Sequence, residues 1–149
     1  MQKIIPFLWF DGQLEEAMNF YTSVFKNGKI INTQRQTPDG PLFTATFELE
    51  GQQFMGLNGG PMFKFNEAVS FFVHCDTQEE IDYFWEQLTA DGGVESMCGW
   101  LKDKYGLSWQ IVPSVLGDLL YGEDAEKSAR AMQAMLKMKK LDIAALQNA

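Results

Sequence analysis

A single histidine, His74, and two cysteines, Cys75 and Cys98, are the whole supply of imidazole and thiol in these 149 residues. That scarcity excludes a tri-histidine or cysteine-rich metal centre within one chain, and it excludes a disulfide framework. Basic residues are also few: 12 Lys and Arg against 20 Asp and Glu leave a net charge of -8. A surface of that sign repels phosphate backbones, so nucleic-acid binding is not expected. Long apolar runs are missing as well. No stretch approaches the roughly 20 apolar residues of a membrane span. The opening MQKIIPFLWFDG lacks a basic segment followed by a long apolar one. The expectation is a soluble cytoplasmic protein with free thiols and no membrane partner.

What is plentiful is apolar and aromatic. Hydrophobic residues make up 46% and charged residues 21%, which permits a sizeable core and argues against general disorder. Twelve Phe, four Trp and four Tyr imply an aromatic core, or an aromatic-lined cavity within one.

The chain repeats itself. KIIPFLWF is β-branched and aromatic and reads as a strand. After Asp11-Gly12, LEEAMNFYTSVF places Leu14, Ala17, Met18, Tyr21, Val24 and Phe25 on one helical face, and Asn27-Gly28 stops it. Further on, AVSFFVHC is again a strand, followed by a capping box at Thr77 to Glu80. The helix EEIDYFWEQL then groups Ile81, Phe84, Trp85 and Leu88 before Gly92-Gly93. The segments superpose at an offset of 64, which sets Phe7-Leu8 on Phe71-Phe72, Glu15-Glu16 on Glu79-Glu80 and Phe20-Tyr21 on Phe84-Trp85. Three strands follow each helix: KIINTQR, LFTATFEL and QQFMGLN, then VESMC, GWLKD and SWQIVP. Each half therefore reads strand-helix-strand-strand-strand, with turns at Glu50-Gly51 and near Lys104-Tyr105-Gly106. The connection GGPMFKFNE is short and not flexible in composition. Beyond the repeat, SVLGDLLYG reads as a short helix and Asp124 as the N-cap of AEKSARAMQAMLKM. Lys137, Lys139 and Lys140 are expected to complement the dipole at that helix's C-terminus. The Met-rich face needs a partner, in this chain or a second one.

The stretches IIPFLWFDG, EEAMNFYTSVF, LNGGPMFKFNEAVSF, CGWLKDKYGLSWQIVP and AMLKMKKLDIAALQ resemble the PhnB-like branch of the vicinal oxygen chelate superfamily. That branch carries the label demethylubiquinone methyltransferase-like, and the superfamily includes glyoxalase I, bleomycin-resistance proteins and extradiol dioxygenases. The resemblance implies an α+β fold of two tandem βαβββ modules forming cup-shaped mixed sheets. One domain of residues 1–149 is expected, with module one about 1–60, module two about 66–113 and a helical extension 114–149. A homodimer is also expected, since the extension has an apolar face to bury. In metal-using relatives the ligands come from the first and last strand of each module. Counting from the turns carries those positions to Ile4, Met55, the Ala68 to Ser70 stretch and Gln110. Such a set does not hold a hard divalent ion, so no metal is expected. Nor is a methyl-donor cofactor expected, because neither Gly59-Gly60 nor Gly92-Gly93 joins a strand to a helix.

Other candidates reduce to structure. Glu15-Glu16 and Glu79-Glu80 suit the first turn of a helix. Cys98 lacks a histidine neighbour in sequence and reads as an inert thiol. Lys102-Asp103-Lys104 reads as exposed hairpin charge, and a contact between Lys102 and a ligand anion has no independent support in the sequence. Within the implied cup, alternation turns Met55, Leu57, Ser70, Phe72, Ser108 and Gln110 inward, with Trp100 as a wall, while Trp109 and Ile111 pack under the helix. An apolar lining with a few polar handles suits a small molecule. The leading expectation is metal-independent binding of a small, partly apolar ligand without a cofactor. The alternatives are an enzyme acting on an aromatic or quinone-like substrate, and a dimeric interaction module. The ligand itself is not named by the sequence.

Overall fold

A computed structural model describes residues 2–149. The chain divides into two compact units, with the second beginning at Asn66. In the first unit, β1 (Phe7–Phe10), α1 (Leu14–Val24), β2 (Lys29–Arg35), β3 (Leu42–Leu49) and β4 (Gln52–Asn58) give a four-stranded sheet in the order β1-β4-β3-β2. The pair β1 and β4 is parallel, and the others are antiparallel. The second unit repeats the plan with β5 (Ser70–Cys75), α2 (Gln78–Thr89), β6 (Val94–Glu95), β7 (Trp100–Lys102) and β8 (Ser108–Pro113), in the order β5-β8-β7-β6. Three helices close the chain: α3 (Leu116–Leu120), α4 (Ala125–Met135) and α5 (Ile143–Gln147). The α+β expectation, with two mixed sheets and C-terminal helices, holds.

Each helix packs its apolar stripe on one face of its own sheet. Leu14, Ala17, Met18, Tyr21 and Val24 of α1 are buried, and Tyr21 stacks on Phe47, whose ring in turn stacks on Phe54 at 5.6 Å. Side chains of this size each contribute about 1.5–3 kcal/mol on burial. Leu14 N is capped from outside the helix by Asn58 Oδ1 at 3.0 Å, while Asn58 Nδ2 donates to Leu42 O. In α2, Thr77 Oγ1 accepts from Glu80 N as expected. The carboxylate of Glu80 accepts from Asp76 N, one residue earlier than a closed capping box requires.

The repeat needs one refinement. The helices correspond at 64, as with Leu14 and Gln78, but the strands correspond at 65, as with Phe10 and Cys75. The loop from β5 to α2 is one residue shorter than the loop from β1 to α1. An offset of 64 would match Leu8, which is 6% exposed, with Phe72, which is 49% exposed. A one-residue slip exchanges the faces of a strand, so burial decides for 65.

The first strand is also shorter than its sequence implies. Pro6 has no N–H to enter a ladder; only its carbonyl takes part, accepting from Met55 N. Ile4 is 88% exposed, outside β1. Likewise α4 stops at Met135, and tighter turns follow at Lys137 and Met138. These turns bring Met138 O and Lys139 O to Cys98 N and Gly99 N, at 2.7 and 2.8 Å. Gln78 grips the same segment, donating to Leu141 O and accepting from Ile143 N. The extension therefore covers its own unit, with Ala131, Leu141 and Leu146 buried. Lys140 does not serve the end of α4 but pairs with Asp82 at 2.9 Å, which holds that carboxyl below its usual range.

Candidate functional site

The second unit's sheet has one face covered by α2 and an opposite, partly open face, exposed at Phe72 and His74 but buried at Ser108 and Val112. Leu101, Trp109 and Ile111 are buried on the α2 side, as alternation requires. On the opposite face, register sets Ser70 beside Ser108 and Ser108 beside Lys102. The next row joins Phe72, Gln110 and Trp100, and the row beyond pairs His74 with Val112. Five expected residues, Ser70, Phe72, Trp100, Ser108 and Gln110, thus share one face. Met55 and Leu57 lie in the first unit, half-buried beside Phe7 and Trp9 in the β1–β4 register. Trp9 there is held by Gly60 O at 2.9 Å and by the edge of Phe63.

The polar groups of the open face are few and specifically placed. Gln110 Nε2 donates to Ser70 Oγ at 2.9 Å. Ser108 is 1% exposed, and its Oγ is the only buried side-chain nitrogen or oxygen among the described residues that lacks a hydrogen-bond partner in the protein. Lys102 forms an ion pair with Glu67, and this bond holds the Glu67 carboxyl below its ordinary range. His74 is exposed at the strand's far end, its ring 4.9 Å from that of Phe72.

Asp103 corrects the reading of Lys102-Asp103-Lys104 as exposed hairpin charge. It is 2% exposed. Its carboxylate accepts from Tyr105 N and Leu107 N at 2.9 and 3.1 Å, and from Trp109 Nε1 at 2.9 Å. The signal was available: Asp followed three residues later by Gly, at φ +88, is a turn with a left-handed closing residue. What spacing does not reveal is that Trp109, six residues on, brings its indole back to the same carboxylate. Glu67, Asn58 and Gln78 were missed for a related reason, since each acts on a residue more than thirty positions away in the chain.

The thiols divide by environment. Burial first, then the charges of Glu80 and Asp76, push Cys75 up to about 12, so it is not a nucleophile at neutral pH. Cys98 is half-buried and free, at a left-handed residue.

The donor set does not fit a divalent metal. Ile4 stands outside its strand, Met55 offers a thioether, and Ser70 and Gln110 are bonded to each other. Among the described residues no group of three or more His, Cys, Asp or Glu comes together in a way that could hold an ion. A dinucleotide-like methyl donor fits no better. Gly59-Gly60 follows β4 without opening a helix, and Gly92-Gly93 follows α2. Among the described residues no helix is long and apolar enough to cross a membrane.

Residues 2–112 match the family model described as 3-demethylubiquinone-9 3-methyltransferase, a match that ends where the C-terminal extension begins. No match is found among curated proteins. A solved structure from Bacillus cereus, described as a putative 3-demethylubiquinone-9 3-methyltransferase, PhnB protein, is 40% identical. It aligns over 76% of this chain and 100% of its own, with a TM-score of 0.71. Protein PA1353 of Pseudomonas aeruginosa shares the fold at 18% identity and a TM-score of 0.62, over 76% of this chain and 98% of its own. The fosfomycin resistance protein FosX of Listeria monocytogenes, solved with Mn(II) and sulfate, does so at 14% identity and a TM-score of 0.53, over 74% and 91%.

Proposed function

From a chain that belongs to the family described as 3-demethylubiquinone-9 3-methyltransferase, the PhnB-like branch of the vicinal oxygen chelate superfamily, we propose a protein that binds a small, partly apolar molecule without a metal. The observation that carries this is the pairing at Gln110. At the position to which counting from the turns carries a metal ligand of relatives, this chain has an amide that donates to the Ser70 hydroxyl at 2.9 Å. Its in-register neighbours are Phe72 and Trp100. A neutral amide flanked by two aromatic side chains and bonded to a hydroxyl in the next row suits recognition of a ligand, with apolar surface for affinity and a few polar groups for orientation. Met55 and Leu57 are proposed as ligand-lining residues on the sheet of their own unit. The name of the family model is not carried over into this proposal, since neither glycine pair joins a strand to a helix as the common type of methyl-donor site requires.

We further propose a cytoplasmic homodimer. Half-exposed Ile30, Ile31 and Phe43 supply an apolar edge that an isolated chain would leave wet.

The test is a thermal-shift screen of full-length protein against hydrophobic small molecules, with mass spectrometry of what co-purifies. A hit should raise the midpoint in proportion to the logarithm of its concentration, and Gln110→Leu should abolish the shift while the protein stays folded. One equivalent of Ni, Zn, Fe or Mn retained by protein purified without chelators would overturn metal independence.

A further inference from the structure

We propose that the open face of the second unit's sheet takes a small anion with a flat apolar body, the anionic head seated against Lys102, Ser108 and Ser70. This rests on the reading of that face as a binding site. Ser70, Ser108 and Lys102 form a row of hydrogen-bond donors across β5, β8 and β7. Phe72, Gln110 and Trp100 form the row beside it, two residues along each strand and so about 7 Å away. That separation matches a carboxylate attached to a fused ring.

The buried, partnerless hydroxyl of Ser108 calls for an explanation. Lys102 stands on β7, and its partner Glu67 lies in the turn leading into β5. The ion pair thus ties together the two strands that flank β8, with Lys102 in register with Ser108. Glu67 thereby occupies, from within the chain, the place an incoming carboxylate would take. The two side chains keep 39% and 60% of their exposure, and exposed pairs of this kind contribute little. An external carboxylate that displaces Glu67 keeps a charge partner on Lys102. It also gains the hydroxyls of Ser108 and Ser70, neither of which is bonded to Glu67. Charge-assisted bonds to these donors favour the external anion over the internal one.

The experiment is calorimetric titration of the full-length protein with 2-naphthoate and with its uncharged counterpart, 2-naphthalenemethanol. The acid should bind about tenfold more tightly than the alcohol. Lys102→Met should remove that preference, and Glu67→Gln should tighten the acid about threefold without changing the alcohol. Equal affinities, or a preference that survives Lys102→Met, overturn the anion and leave small-molecule binding standing, because the alcohol still reports on the aromatic row. Binding of neither probe overturns the anion as well, and the ligand screen then decides the wider proposal on its own.

Discussion

Replacing Asp103 tests whether the last hairpin is organised by a buried carboxylate. Asp103→Ala removes the acceptor for three donors, and two of these bonds, from Leu107 N and Trp109 Nε1, are buried. A hydrogen bond to a charged group contributes about 1.5–3 kcal/mol, and a buried donor left unpaired carries its own penalty. The Tyr105 N bond is only part-buried, so water can replace the carboxylate there. The sum is a loss of about 3–5 kcal/mol, a large fraction of the ~5–15 kcal/mol that holds a domain together. Asp103→Asn keeps one oxygen for the two backbone amides but turns an NH2 toward the indole, so about 2–3 kcal/mol should be lost. Urea unfolding followed by tryptophan fluorescence reads these values, and a double-mutant cycle with Trp109→Phe isolates the side-chain pair. A coupling of at least about 1 kcal/mol is expected. If Asp103→Ala costs less than about 1 kcal/mol, the carboxylate is ordinary hairpin charge and the turn is held by its backbone alone.

Three further outcomes follow from single groups. Ser108→Ala should raise stability by about 1 kcal/mol and the melting temperature by roughly 2–4 °C, because it removes a buried hydroxyl that has no partner; a lower midpoint would mean the hydroxyl is satisfied in solution. Cys75 should resist thiol reagents in the native protein and react once the chain is unfolded. Because the folded thiol is raised from 9.0 to about 12, the unfolded chain loses its proton first, so stability should fall as pH rises from about 9 to 12. Cys75→Ala should flatten that slope in pH-dependent melts. Gln78→Ala removes both bonds to the Leu141 to Ile143 segment and should speed amide exchange at Cys98 and Gly99, whose N–H groups are held by that extension. Unchanged exchange there would show that the extension is held without Gln78, by its buried side chains and the Lys140–Asp82 pair.

The sequence by itself determined the repeat, the element types and the covered face of each sheet, because these depend on periodicity. Apolar residues every three to four positions made α1 and α2, and alternation put Trp109 and Ile111 under the helix and Gln110 away from it. Local punctuation was legible too, as at the Glu50-Gly51 hairpin, where both residues take positive φ. Tertiary structure alone decided whatever depends on which strands become neighbours. The order β5-β8-β7 set Gln110 beside both Ser70 and Trp100, and it brought Lys102 on one side of β8 within reach of Glu67 on the other. It also returned the indole of Trp109 to Asp103, turning an apparently exposed charge into a buried hub. Periodicity assigns a residue to a face; only the ladder of hydrogen bonds between strands decides which residue it meets there.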